Sequence, residues 1–251
     1  MSQEAHSEES QQQLIQADKE AKARLIISMD GVPSLDHLVS LVKQLRDLVG
    51  CFSVGSALCT AAGAPKAIEA IKENGGKAFL DLKFHDDPET VGKAVSQAAS
   101  WGVDMISVHG AGGLEMLQFA AQNRGKSKIL AVMPSLSFQE STQVYGKYAE
   151  AVALNLTHLA RNARCDGIIC LPEVLPRVSH HPLLKAVTGI DQGLACDGGG
   201  VNTPLGAIKA GANLLVINQT HFSPHVSSGG PRERIQSIRR EITGHLLQQR
   251  K

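Results

Sequence analysis

Residues 78–90 read AFLDLKFHDDPET, and this stretch joins an apolar run to a charged cluster and then to the start of a helical segment. Side chains alternate between the two faces of a strand, so Asp81 and Lys83 are expected to share one face, while Leu82 points to the other. Helical periodicity then begins near Glu89. The stretch therefore predicts a buried strand that carries two opposite charges to its C-terminal end and continues into a helix.

The same strand and helix unit recurs along the chain. Each short β-type run is followed by a segment in which apolar residues return every three or four positions. Continuous apolar strands that alternate with helices indicate a parallel sheet, and eight such units favour closure into a (β/α)8 barrel, or TIM barrel. A doubly wound open sheet is the alternative. The runs are LIISMD (25–30), CFSVG (51–55), KAFLDLK (77–83), DMISVH (104–109), KILAVM (128–133), DGIICL (166–171), LKAVTG (184–189) and NLLVIN (213–218).

Polar side chains collect at the ends of these predicted strands. In a parallel barrel the loops that follow the strands converge on one mouth, and that mouth is where such barrels carry their chemistry. We therefore expect the strand-end residues to form one site. They are Asp30, Ser53, Asp81, Lys83, His109, Ser135, Ser137, Asn218 and Gln219.

Composition limits the organisation of the chain and its partners. Residues 1–20 are predicted to be a polar N-terminal tail, mobile or helical, and residues 21–251 a single barrel domain. No apolar run approaches the roughly 18 residues that a membrane span needs. With 25 basic against 24 acidic residues and 4% aromatics, nothing favours a nucleic-acid partner. Five cysteines without CxxC spacing indicate a reducing cytoplasm, and no metal site is predicted.

The charged cluster indicates its own chemistry. A lysine held beside carboxylates is a poor nucleophile but a well-placed electrostatic anchor and proton donor. Asp86 follows Lys83 in the loop before Pro88, so it can turn back to the ammonium or reach a neighbouring subunit. The alternative is a purely structural ion-pair network, which has to offset the cost of desolvating its charges.

The run DLKFHDDPET (81–90) resembles the signature DLKFHDIPNT of orotidine 5′-monophosphate decarboxylases. DxKxxD alone is shared with related barrels that act on sugar phosphates, but the intervening residues point to the nucleotide branch. The resemblance extends from Leu25 to about Gln219, and VDMISVHGAGG (103–113) is similar to the family's VDMVTVHASGG. It implies a cofactor-free, homodimeric lyase that converts orotidylate to uridylate and CO2 in pyrimidine biosynthesis.

The resemblance also implies individual roles for the catalytic residues. Lys83 would protonate C6 of the pyrimidine, and Asp81 would lie against the departing carboxylate. Asp86 and Thr90 would reach across the dimer interface, Asp86 to hold Lys83 and Thr90 to contact the ribose. Asp30 would bind a ribose hydroxyl. A fixed cation suits a reaction that generates a carbanion, and no metal or cofactor is implied.

The remaining binding residues include two departures from the family pattern. Ser137, or alternatively Ser135, would contact the base. The family's second strand carries a lysine in a KVG or KIG run, where this chain has Ser53. The family's last strand is followed by Gly-Arg, whose guanidinium grips the phosphate, where this chain has Asn218 and Gln219. Neutral groups can hydrogen-bond a phosphorylated substrate but cannot neutralise it.

These departures keep three functions open. The first is orotidylate decarboxylation. The second is a catalytically impaired homologue that binds a nucleotide or sugar phosphate, and the third is a related barrel enzyme that acts on another phosphorylated substrate. Asp87 stands where the family usually has an apolar residue against the base, so it is either an additional carboxylate near the pocket or a solvated loop acid.

Overall fold

The strands form a closed barrel in the computed structural model, which describes residues 2–133, 148–190, 200–218 and 230–250. Neighbouring strands are parallel and follow the order of the chain, and the pairing of β1 with β8 closes the sheet. The predicted (β/α)8 barrel is therefore confirmed, and the open-sheet alternative is wrong. The strands are β1 (Leu25–Ser28), β2 (Cys51–Gly55), β3 (Ala78–Phe84), β4 (Met105–His109), β5 (Lys128–Val132), β6 (Gly167–Cys170), β7 (Leu184–Val187) and β8 (Leu214–Asn218).

Helices cover the outside of the barrel. The predicted periodicity has the expected effect in the second helix, where Leu38, Leu41 and Val42 are buried on one face. Thr203 caps a later helix by accepting a hydrogen bond from the Gly206 amide, as its position before Pro204 predicts. The helices are α1 (Ser2–Ala23), α2 (Leu35–Leu45), α3 (Ser56–Ala62), α4 (Ala64–Glu73), α5 (Pro88–Ser100), α6 (Gly113–Gln122), α7 (Ala149–Asn162), α8 (Leu175–Val178), α9 (Pro204–Lys209) and α10 (Pro231–Gln248).

The strands separate two buried apolar layers. Alternate residues point outward and pack against the helices in the larger layer, as Leu25, Ile27 and Leu80 do. The other residues point inward and fill the barrel. The interior is packed with side chains, and barrels of this kind carry their chemistry at the C-terminal end of the strands. The inward-facing apolar residues are Ile26, Cys51, Phe79, Met105, Leu130, Val132, Ile169, Ala186 and Val216.

The N-terminal segment forms helix α1, which packs against α10. Ala17 and Ala21 are fully buried in this contact, and Asp18 is ion-paired with Arg239 on α10. The last turns of α1 therefore lie on the barrel rather than apart from it. None of the helices in the described ranges is long and apolar enough to cross a bilayer.

Candidate active site

Strand β3 brings Asp81 and Lys83 together at the C-terminal end of the barrel. The Lys83 Nζ lies 3.0 Å from the Asp81 Oδ2, and the two side chains are 41% and 21% exposed, respectively. The expectation that both side chains share one face agrees with this ion pair. The arrangement gives the mouth of the barrel one ammonium that is held by a carboxylate.

The backbone of Lys83 departs from regular strand geometry. Its φ is 53°, in the left-handed region, which costs a residue with a side chain about 1–2 kcal/mol. The register between β3 and β4 shifts along the strands: Leu80 pairs with Ile106, whereas Phe84 pairs with Val108. Four residue steps on β3 therefore match two on β4, and the bulge between them contains both charged residues. Bulges of this kind are common beside active sites, where they re-aim a side chain.

The ion pair lines a cavity of about 120 Å3 inside the mouth. The walls are largely apolar and include Phe79, Val132 and Ile169, so the two charges are set in a wall that otherwise offers few polar groups. The Asp81 Oδ1 is buried and has no hydrogen-bond partner in the described part of the chain. An unsatisfied buried carboxylate oxygen beside a cavity is unusual in a folded protein and points to a functional role.

A cysteine in the same cavity wall, Cys170, is expected to be unreactive. Burial raises the pKa of the Cys170 thiol to about 12, so this group stays neutral at physiological pH and is a weak nucleophile. Within the described ranges no group of three or more His, Cys, Asp or Glu residues is arranged to hold a metal ion. Among the described residues that line the cavity, Asp81 and Lys83 are the charged ones.

Three further predicted residues lie along the adjoining rim. The Asp30 carboxylate rests on Gly55, where an added Cβ would lie only 2.0 Å from Oδ2. Gly55 in turn pairs with Asp81 across β2 and β3. Ser53 is 2% exposed, and the β8–β1–β2 register puts it in one row with Asn218 through Ser28. The structure thus brings the expected side chains of strands β1, β2, β3 and β8 to one end of the barrel.

The loop after β3 carries two carboxylates that form no ion pair with Lys83 among the described residues. Asp86 is exposed and accepts a hydrogen bond from the Asp87 amide, and among the described residues it forms no ion pair with Lys83. Asp87 is the N-cap of α5 and accepts bonds from the Thr90 amide and hydroxyl at 3.0 and 2.7 Å. These bonds from Thr90 lower the pKa of Asp87. Of the two alternatives for Asp87, the structure agrees with the solvated acid, which here caps helix α5.

Two histidines flank the charged pair on the neighbouring strand ends. The rings of His85 and His109 are stacked, with centroids 4.7 Å apart and 11° between their planes. The His109 Nδ1 accepts a hydrogen bond from the Ala111 amide, so the ring is bound to loop backbone. Burial, and then the nearby His85 and Lys83, lower the pKa of His109, so its neutral form is favoured.

Some predicted residues cannot be placed, and some neighbours of the site were not predicted. Ser135, Ser137 and Gln219 lie outside the described residues. Sequence reasoning missed Ser107, whose hydroxyl accepts a hydrogen bond from the Lys83 amide, and Thr188, which lines the cavity. Strand alternation could have identified Ser107, because it lies two residues before the strand-end His109 on the same face.

The fold and the site define a class of protein before any comparison is made. A (β/α)8 barrel with an ammonium–carboxylate pair at its C-terminal mouth has the architecture of a barrel enzyme, because such barrels carry their catalytic residues at this end. Residues 23–218 match the model of the "Orotidine 5'-phosphate decarboxylase / HUMPS family". The chain belongs to this family.

Individual relatives agree with the family assignment. The chain is 32% identical over 238 residues to an orotidine 5'-phosphate decarboxylase of Geotalea daltonii, with 89% of this chain and 97% of the relative covered. It is 37% identical over 220 residues to one of Moorella thermoacetica, with coverage of 79% and 85%.

Solved structures share the barrel. Orotidine 5'-phosphate decarboxylase from Lactobacillus acidophilus is similar with a TM-score of 0.71 and 24% identity, over 87% of this chain and 98% of that one. The Methanocaldococcus jannaschii enzyme, complexed with the inhibitor BMP, is similar with a TM-score of 0.69 and 20% identity over the same shares. At these identities the similarity supports the fold.

Proposed function

We propose that this chain is a carboxy-lyase of the orotidine 5′-phosphate decarboxylase type, which converts orotidylate to uridylate in pyrimidine biosynthesis. The observation that carries the proposal is the pair of Lys83 and Asp81 in the apolar mouth of the barrel, 3.0 Å apart. This family of barrels includes the decarboxylases that are 32% and 37% identical to the chain.

The proposed reaction uses both the Lys83 ammonium and the Asp81 carboxylate. The bond between C6 of the pyrimidine and the carboxylate carbon breaks, and its electron pair stays on C6 as CO2 leaves. The Lys83 ammonium stabilises this developing negative charge and transfers a proton to C6, and the amine then regains a proton from water. The Asp81 carboxylate would lie against the departing carboxylate, so repulsion between the two anions is relieved as CO2 forms.

Substrate binding is assigned in the same proposal to residues at the rim. Asp30 and Thr90 would contact ribose hydroxyls, and Ser137 would contact the base. The phosphate would be held by neutral groups, since Asn218 ends β8 and Gln219 follows it in the sequence. The full set of substrate-binding residues is Asp30, Ser53, Thr90, Ser137, Asn218 and Gln219.

We also propose that two copies of the chain complete each site. Asp86 and Thr90 are exposed at the start of α5, and Asp86 forms no ion pair with Lys83 within the described part of its own chain. A carboxylate from a second copy would give Lys83 its second anionic neighbour. The homodimer would work in the cytoplasm, without a cofactor, nucleic acid or membrane as partner.

Release of CO2 from carboxyl-labelled orotidylate tests the proposal. Lys83→Ala removes the ammonium, and Lys72→Ala is the matched control, because Lys72 forms a 3.1 Å ion pair with Asp104 in which the side chains are 38% and 31% exposed. We expect labelled CO2 from the wild type and from Lys72→Ala, and none above background from Lys83→Ala. Absence of CO2 from the wild type at high enzyme and substrate would refute the proposed function.

A second candidate function rests on Ser53. This residue is almost fully buried beside the site, in the place where the resemblance implies a second lysine. A mouth with a single ammonium would suit a catalytically impaired homologue, or an enzyme that acts on a different phosphorylated molecule. Calorimetry with uridylate and with sugar phosphates separates these outcomes, since tight uridylate binding without turnover supports the impaired homologue.

A further inference from the structure

The unusual backbone of Lys83 is held by a side chain of the next strand. In the bulge of β3, where the register with β4 shifts, the Lys83 amide donates to the Ser107 hydroxyl at 2.8 Å. Ser107 lies on β4 and is 0% exposed. Leaving a buried backbone amide without a hydrogen-bond partner destabilises the fold. The Ser107 hydroxyl gives the Lys83 amide an acceptor at the point where the strand register shifts.

A second contact from β4 fixes the chain two residues later. Ser107 and His109 lie on the same face of β4, because side chains two apart along a strand point the same way. The His109 ring stacks on His85, with centroids 4.7 Å apart, and the bond from the Ala111 amide orients the ring. The left-handed turn at Lys83 is thus held on its amide side by Ser107 and on its far side by His109.

We propose that Ser107 is a positioning residue for Lys83, and that His109 supports it. The Ser107 hydroxyl keeps the Lys83 backbone at φ 53°, and this conformation directs the Lys83 ammonium onto Asp81 inside the mouth. Neither residue needs to contact the substrate. The importance of this for catalysis rests on the proposed function, whereas the structural claim about Lys83 does not.

Removal of the hydroxyl has a defined physical consequence. In Ser107→Ala the Lys83 amide loses its acceptor, and the backbone of Lys83 can return to the extended region that residues with side chains prefer. That change swings the ammonium away from Asp81. Because a displacement of about 1 Å at a reacting group can lower a rate about 100-fold, the effect belongs in kcat rather than in KM.

The experiment compares Ser107→Ala and Ser107→Thr with a matched control. Ser127 is also a buried serine, 3% exposed, with one hydroxyl bond to backbone, at 2.7 Å to the Val103 carbonyl, and it precedes β5 on the opposite end of the barrel. We expect Ser107→Ala to lower kcat about 10- to 100-fold with KM within about threefold, and Ser127→Ala to leave kcat unchanged. Ser107→Thr, which keeps a hydroxyl, is expected to retain most of the wild-type kcat.

A second readout does not depend on decarboxylation. The rate at which acetic anhydride modifies Lys83, followed by peptide mass spectrometry, reports whether its amine is held in the ion pair. We expect faster modification of Lys83 in Ser107→Ala than in the wild type or in Ser127→Ala, even if orotidylate is not the substrate. Wild-type modification and wild-type kcat in Ser107→Ala would overturn the proposal, as would equal losses of kcat in Ser107→Ala and Ser107→Thr.

Discussion

The Lys83 Nζ lies 3.0 Å from one oxygen of Asp81, while the other oxygen of the same carboxylate is buried without a hydrogen-bond partner. The large majority of buried side-chain polar atoms in folded proteins have a hydrogen-bond partner. Here only one oxygen has a partner within the described chain, and Asp81 is one of the residues that line the cavity. One oxygen of Asp81 is therefore held in the ion pair, while the other has no partner among the described residues that would give it a structural role.

Asp81→Asn separates a catalytic role from a structural one. A neutral amide removes the anion that opposes the departing carboxylate, so we expect kcat/KM for orotidylate to fall by about 100-fold or more. The pair is partly exposed, so the free energy of unfolding should change by no more than about 1 kcal/mol. Urea unfolding and steady-state kinetics on the same preparation measure both. Loss of several kcal/mol with full activity would instead identify a structural ion pair.

Mixed dimers test whether Asp86 acts on the second copy. Lys83→Ala and Asp86→Ala should each be inactive alone. If Asp86 completes the site of its partner, a mixed dimer contains one site with both residues intact, so mixing the two variants restores a substantial part of the wild-type activity. Activity of the mixture after dissociation and reassociation is the measurement. No recovery, with mixed dimers detected by native mass spectrometry, would contradict a shared site.

Restoring positive charge tests whether the mouth is tuned for orotidylate. Asp81, Asp86 and Lys83 together carry one net negative charge, which disfavours an anionic substrate. We expect Ser53→Lys combined with Gln219→Arg to raise orotidylate turnover about tenfold or more, because it adds two cations. Ser53→Met combined with Gln219→Arg controls for side-chain length at the buried position. Turnover no higher than that of the wild type would indicate that the mouth serves a different ligand, and equal gains in both combinations would assign the gain to Gln219→Arg alone.

A buried histidine gives the fold an acid-sensitive stability. His181 is 5% exposed, and the rings of His158 and His180 lie 4.8 and 4.5 Å from its own. Burial, and then these histidines together with Arg161 and Lys185, lower the pKa of His181. An unfolded histidine binds its proton near pH 6.5, so between that pH and the lower folded pKa the unfolded state holds more protons. The stability that neutral His181 provides is present above about pH 6.5 and is lost as the pH falls.

Chemical unfolding at a series of pH values checks this prediction. We expect the free energy of unfolding of the wild type to decline as the pH falls below about 6.5, and the decline to be smaller in His181→Gln. His37 is exposed on α2 and serves as the control position, so His37→Gln should follow the wild type. An identical decline in His181→Gln would assign the acid sensitivity to other groups.

The barrel could be predicted because its signals are local. Apolar runs such as GIIC and LKAV are short, repeated and separated by helical periodicity, and such a pattern has few solutions other than a parallel sheet covered by helices. Alternation along one strand predicted that Asp81 and Lys83 share a face, but the ion pair they form also involves the bulge and the left-handed backbone of Lys83. The cap at Asp87 had a signal as well, since an acid directly before a Pro-initiated helix is a standard N-cap position.

The rest of the site depends on long-range register. The left-handed backbone of Lys83 and its bond to Ser107 arise from a shift between β3 and β4, and the sequence of either strand alone does not encode that shift. The contact of Asp30 with Gly55 likewise depends on how the turn after β1 lies over β2. Such relationships are properties of paired strands, so they appear only in the folded barrel.

The most direct test of the central claim follows carbon and proton together. Carboxyl-labelled orotidylate is turned over in deuterium oxide, labelled CO2 is counted, and the position of deuterium in the product is read by NMR. We predict that the wild type releases one CO2 for each uridylate deuterated at C6, and that Lys83→Ala produces neither. Wild-type amounts of both products from Lys83→Ala would contradict the account.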